Sequence, residues 1–138
     1  MSHKITTVWK GGMTFTSDNP SGKTVVMDTD VEGQDERIGL SPKAMMLSSL
    51  AGCSGIDVIS ILDKMKIKLD DFKMEISGQL TDEHPKYYHT VNVVYHFYGN
   101  NLDEAKCKRA VDLSVGKYCG VMEMFRHFAT MNISTQFH

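Results

Sequence analysis

From Ser41 to Met65 the chain reads SPKAMMLSSLAGCSGIDVISILDKM, its longest apolar-rich stretch. Met46, Leu50, Cys53 and Ile56 recur at helical spacing, and Val58, Ile59, Ile61, Leu62 and Met65 widen the stripe. Ser41 is placed to cap this helix. Pro42 suits the first helical position, where a missing N–H costs nothing. The spacing predicts a helix about 37 Å long at ~1.5 Å per residue, with a stripe wide enough for a central, mostly buried position. Gly52 and Gly55 flank Cys53. Each costs up to ~1 kcal/mol against alanine inside a helix, a cost that fits a place where another backbone or a ligand approaches closely.

Elsewhere the period is two. Ile5, Val8, Met13 and Phe15 with polar residues between them suggest a strand pair bent near Gly11-Gly12. Asp18 to Gly22 is a turn, and Lys23 to Met27 a returning strand. Asp28 to Leu40 reads as an acidic loop leading to the long helix. Phe72, Met74 and Ile76 alternate with Lys73, Glu75 and Ser77, within a segment running from Ile67 to Leu80. Past a turn at Thr81 to Lys86, the run His89 to Tyr98 puts Val91, Val93, Tyr95 and Phe97 on one face, predicting an antiparallel hairpin. Asn101 as cap with Glu104 three residues on predicts a helix to about Val115, ending near Gly116. Cys119-Gly120 precedes a short amphipathic stretch, Val121 to Phe128. Thr130 to Phe137 closes as a strand with Met131, Ile133 and Phe137 on one face. The expected fold class is α+β, in a single domain over residues 1–138.

Composition narrows the function classes. With 41% apolar and 23% charged residues the chain has ordinary globular makeup. A net charge of −2 without a basic cluster argues against a nucleic-acid partner. Lys43, Asp57 and Lys64 interrupt the long helix, so no membrane span is expected. The start, MSHKITTVWKGG, lacks the apolar region of a signal peptide. The expected location is the cytoplasm, where three cysteines are core thiols, metal ligands or redox residues rather than a disulfide framework.

Taken alone, Cys53 reads first as a small apolar core residue. Cys119, just before a predicted short helix, sits where free N–H groups and the helix dipole would favour the thiolate. Asp57, one turn beyond Cys53, opposes ionisation if it faces the sulfur. Cys107, in KCKRA near the apolar flank of its helix, reads as structural. The six histidines show no metal-ligand spacing, and no phosphate-binding glycine loop is present. The ten methionines read as adaptable core filling or, less simply, as the lining of an apolar channel.

SPKAMMLSSLAGCSGIDVISIL together with KYCGVMEMF resembles the osmotically inducible protein C and organic hydroperoxide resistance (OsmC/Ohr) family, over nearly the whole chain. The resemblance implies antiparallel sheets around a long central helix, in an intertwined homodimer with sites at the subunit interface. It implies a peroxidase cycle on organic hydroperoxides, in oxidative stress defence, with Cys53 as attacking thiolate and Cys119 as resolving thiol. An external dithiol would restore both, with no metal or flavin cofactor. The family's peroxidases carry a glutamate after the helix-opening proline and an arginine after the N-terminal glycine pair. Here Lys43 and Met13 stand there, leaving Lys10, Lys43, Arg37 or Arg126 as substitute cations. The alternative is a non-catalytic member that senses redox state or binds an apolar small molecule.

Overall fold

A computed structural model describes residues 1–33 and 36–138. Gln34 and Asp35, in the predicted acidic loop, lie outside the described residues. The elements are β1 (Thr7–Trp9), β2 (Phe15–Ser17), β3 (Val25–Met27), α1 (Pro42–Lys64), β4 (Asp71–Leu80), β5 (Tyr88–Tyr98) and α2 (Glu104–Leu113). A π-helical turn (Ser114–Tyr118), α3 (Gly120–Arg126) and β6 (Thr130–Phe137) complete the chain. They fall into two compact units, Met1–Met46 and Leu47–His138.

The first unit is an antiparallel meander, β1-β2-β3. Its first bend needs positive φ at Gly11 (+99°) and Gly12 (+54°), a conformation that costs glycine little because it has no Cβ. Asp28 closes the unit, accepting from the Ile38 N–H at 2.7 Å and from Arg37 Nε at 3.1 Å. The Ile38 hydrogen bond holds the Asp28 carboxyl below the usual aspartate range, and Arg37 reinforces it.

The second unit is built on a sheet of order β4-β5-β6. Strict alternation in β5 places Val91, Val93, Tyr95 and Phe97 on one face, each fully buried. Phe72 of β4 and Phe137 of β6 flank Phe97 at ring-centroid distances of 5.2 and 5.5 Å. Full burial of such side chains contributes about 1.5–3 kcal/mol each. Over this face lie Leu50, Val58 and Leu62 of α1, Cys107, Ala110 and Val111 of α2, and Met122 and Phe125 of α3. A Cβ at Gly55 would stand 3.3 Å from Met74 Sδ, so this glycine does mark a close approach of α1 to β4. Gly52 meets nothing within 4 Å.

Four local expectations are corrected. The sheets are not all antiparallel: β6 pairs with β5 in parallel. Between them α2 and α3 form a helical crossover, which returns the chain in the starting direction. Nor is α1 mostly buried. Only Leu50, Ser54, Val58 and Leu62, a narrow stripe at four-residue intervals, are buried, while Ile56 is 73% exposed and Ile59 45%. By length and composition α1 is also apolar enough to cross a membrane, because its few charges sit towards its ends and on one position between. Finally, α2 is capped by Asp103, whose carboxylate accepts the Lys106 N–H at 3.1 Å. Asn101 instead takes a positive φ of 52° in the preceding turn.

Candidate thiol site

Cys53 lies mid-way along α1, on the edge of its buried stripe, and is half-buried. Cys119 reaches the same place from the other end of the unit. It is the N-cap of α3, 3% exposed, and its sulfur accepts the Met122 N–H at 3.3 Å. The fold brings the two side chains together as free thiols, near enough that Cys53 raises the Cys119 pKa. Cys107 is fully buried in α2. Burial, then the carboxylates of Asp103 and Glu104, push its thiol up.

The helix-start position does not make Cys119 acidic. Burial pushes its pKa up to about 11. The Met122 N–H works the other way, and the Cys53 thiol and the Asp57 carboxylate add to the rise. A single N–H at the start of a seven-residue helix is a weaker influence than removal of the thiolate from water. The charges acting on this thiol are thus negative ones. Arg126, proposed as a substitute cation, is occupied by Glu123 at 2.8 Å and by the Val115 carbonyl at 2.6 Å. Arg37 is held by Asp28, and Lys43 is exposed at the start of α1. Met13 lines a small cavity of its own unit with Phe15, Met27 and Pro42.

Beside the thiols runs a buried polar chain absent from the sequence reading. Ser54 Oγ lies 2.5 Å from Tyr95 Oη and 2.7 Å from Ser114 Oγ. Ser114 Oγ lies 3.0 Å from Asp57 Oδ2. Ser54, Tyr95 and Ser114 are fully buried. An ionised carboxylate only accepts, and each hydroxyl carries one proton. The protons are therefore ordered from Tyr95 to Ser54 to Ser114 to Asp57, and every hydroxyl donates once. Burial pushes the Tyr95 phenol up to about 12, and Cys119 and Asp57 add to the rise against the hydrogen bond shared with Ser54. The signal was present in the spacing: Ser54 interrupts the stripe Leu50–Val58–Leu62, and Ser114 follows Cys107 and Ala110 on one face of α2. A serine at a core position needs partners.

The segment between Ser114 and Cys119 is a π-helical turn, closed by the Cys119 N–H donating to the Ser114 carbonyl at 2.8 Å. Asp57 also borders a cavity of about 390 Å³ lined by Ile61, Met65 and Leu113, with Ser60, Lys64 and Tyr118. Neither cysteine lines it.

Comparison with known proteins places the fold. Residues 33–134 match the family model described as OsmC-like protein. Protein YhfA of Escherichia coli K12 is 35% identical over 116 residues, 84% of each chain. A hypothetical protein from Aquifex aeolicus VF5 superposes with a TM-score of 0.87 at 28% identity, over 100% of this chain and 97% of that one. An organic hydroperoxide resistance protein OsmC from Legionella pneumophila shares the fold, with a TM-score of 0.69 at 18% identity over 99% and 97% of the two chains. With a family match over most of its length and relatives that share its whole α+β architecture, the chain belongs to the OsmC-like protein family.

Proposed function

We propose that this protein is a two-cysteine thiol peroxidase acting on organic hydroperoxides. The observation that carries the reading is the close approach of two free thiols, one half-buried and one buried. The Legionella pneumophila relative, an organic hydroperoxide resistance protein, supports the substrate class. Cys53, the more accessible sulfur, is the attacking group. Its thiolate takes the terminal oxygen of the hydroperoxide, the O–O bond breaks, and the alkoxide leaves as alcohol after protonation. Cys119, kept as a thiol by burial, then attacks the Cys53 sulfenic acid. The S–S bond forms, the S–O bond breaks, and the thiol proton leaves with the hydroxide as water. An external dithiol reduces the disulfide by exchange and is itself oxidised to a disulfide. No step calls for a metal or flavin.

The assembly is a homodimer in this reading, acting in the cytoplasm in oxidative stress defence. The exposed face of α1 forms an apolar groove of about 730 Å³ with Phe72 and Met74, lined by Gly52, Gly55, Ile56 and Ile59. A second copy of the chain would cover it.

Stopped-flow competition with an organic hydroperoxide tests the chemistry. The expected result is Cys53 oxidation faster than that of free cysteine, followed by a Cys53–Cys119 disulfide. Cys119→Ser should stop at the sulfenic acid, and Cys53→Ser should not react. A rate no higher than free cysteine's refutes the reading. The second reading, a redox sensor or binder of apolar small molecules, draws support from Met13 and Lys43 at the positions where the family's peroxidases carry arginine and glutamate. It predicts a retained small molecule in native mass spectrometry that survives Cys53→Ser.

A further inference from the structure

Ser114 stands where three parts of the second unit meet. Its hydroxyl lies 2.7 Å from Ser54 Oγ, 3.0 Å from Asp57 Oδ2 and 3.4 Å from the Ser54 carbonyl, all on the turn of α1 that follows Cys53. Its own carbonyl takes the N–H of Cys119 across the π-helical turn at 2.8 Å. One fully buried residue therefore grips the helix that carries one sulfur and the main chain of the residue that carries the other. We propose that Ser114 is a positioning residue that sets the effective concentration of the Cys53–Cys119 thiol pair, and hence how readily its disulfide closes.

The physics is that of orientation. A disulfide demands a narrow range of separation and torsion between its two cysteines, and its equilibrium against a free thiol–disulfide couple measures how well the fold holds them there. Met122, packed with Phe125 in the core, fixes the far side of Cys119 through its N–H. The near side depends on the short run from Ser114. With the hydroxyl removed, α1 and the π-helical turn lose their direct polar tie, and Asp57 loses the donor that orients it. Tyr95 bonds the same chain through Ser54 alone, so its hydroxyl does not join the two cysteine-bearing segments.

The inference rests on the disulfide half of the proposed cycle and not on hydroperoxide chemistry. It is therefore tested without hydroperoxide. The full-length Cys107→Ser protein is equilibrated with reduced and oxidised glutathione, and the Cys53–Cys119 disulfide is quantified by acid quench and mass spectrometry. Ser114→Ala is expected to lower the effective concentration about tenfold, which raises the reduction potential by about 30 mV for a two-electron couple. Tyr95→Phe, which deletes a hydroxyl from the same buried chain, is expected to shift it less than twofold. Asp57→Ala, at a half-buried position, cuts one arm of the same tie and is expected to lower it at least threefold. It carries the test should Ser114→Ala fail to fold. An effective concentration in Ser114→Ala, or failing that Asp57→Ala, within twofold of the parent overturns the proposal. Equal losses in Ser114→Ala and Tyr95→Phe overturn it too, since that pattern reports general loosening of the core. A parent that forms the disulfide readily yet ignores hydroperoxide would overturn the peroxidase reading and leave the role of Ser114 standing.

Discussion

The sharpest consequence of the site's electrostatics concerns which thiol ionises. An ordinary cysteine has a pKa near 9, and Cys119 is pushed up to about 11. At pH 8 an ordinary thiol is about one-tenth thiolate, whereas Cys119 is about one-thousandth, a hundredfold difference in the reactive form. Pulse alkylation with iodoacetamide between pH 7 and 11.5, with each cysteine peptide quantified by mass spectrometry, reads this directly. The Cys119 rate should climb about tenfold per pH unit through pH 10 without levelling. Asp57→Asn removes a negative charge while keeping an oxygen for the Ser114 hydroxyl. The Cys119 midpoint should then fall by less than about one unit, because burial is the largest cause and remains. The linkage to stability has a fixed sign. Below pH 9 Cys119 is protonated whether the chain is folded or not. From there towards 11 the unfolded form sheds a proton that the folded form keeps, so this thiol makes the fold less stable as pH rises. A Cys119 midpoint at or below that of free cysteine, or an upward shift in Asp57→Asn, refutes the reasoning.

Two further outcomes follow from packing. Phe97→Ala, at a fully buried site between Phe72 and Phe137, should cost about 3–5 kcal/mol in equilibrium urea unfolding; a loss below about 1 kcal/mol would contradict the assigned core. Ile56→Glu, at a position 73% exposed in the single chain, should leave the fold intact by circular dichroism but convert the proposed dimer to a monomer in sedimentation velocity, and an unchanged oligomeric state would contradict an interface on this face.

The two periodicities in the sequence carried most of the secondary structure because they report which side of an element meets the core. The β5 face of Val91, Val93, Tyr95 and Phe97 and the whole of β6 are cases in point. Periodicity says nothing about strand direction, so the parallel pairing of β5 and β6 was open until the crossover was seen. It also reports apolarity and not coverage: Ile56 and Ile59 share a greasy helix with Leu50 and Val58, yet only the latter pair meets the core in one chain. The meeting of Cys53 and Cys119 was legible only through the family resemblance. Nothing local links residues so far apart in the chain. Ser54 and Ser114 are not legible in isolation, because a lone serine on a helix reads as solvent-facing until its spacing is set against the buried stripe.

The π-helical turn from Ser114 to Tyr118 makes the length of that segment as consequential as its composition. A π turn holds an added residue relative to an α turn. Lengthening it by one position would exceed what the widened turn can absorb and swing whatever follows by about 100°. The sulfur of Cys119 would then point away from Cys53 even with every surrounding side chain unchanged. Substitutions at Gly116 or Lys117, both exposed, leave the winding intact, so the segment should accept new letters far more readily than an extra one.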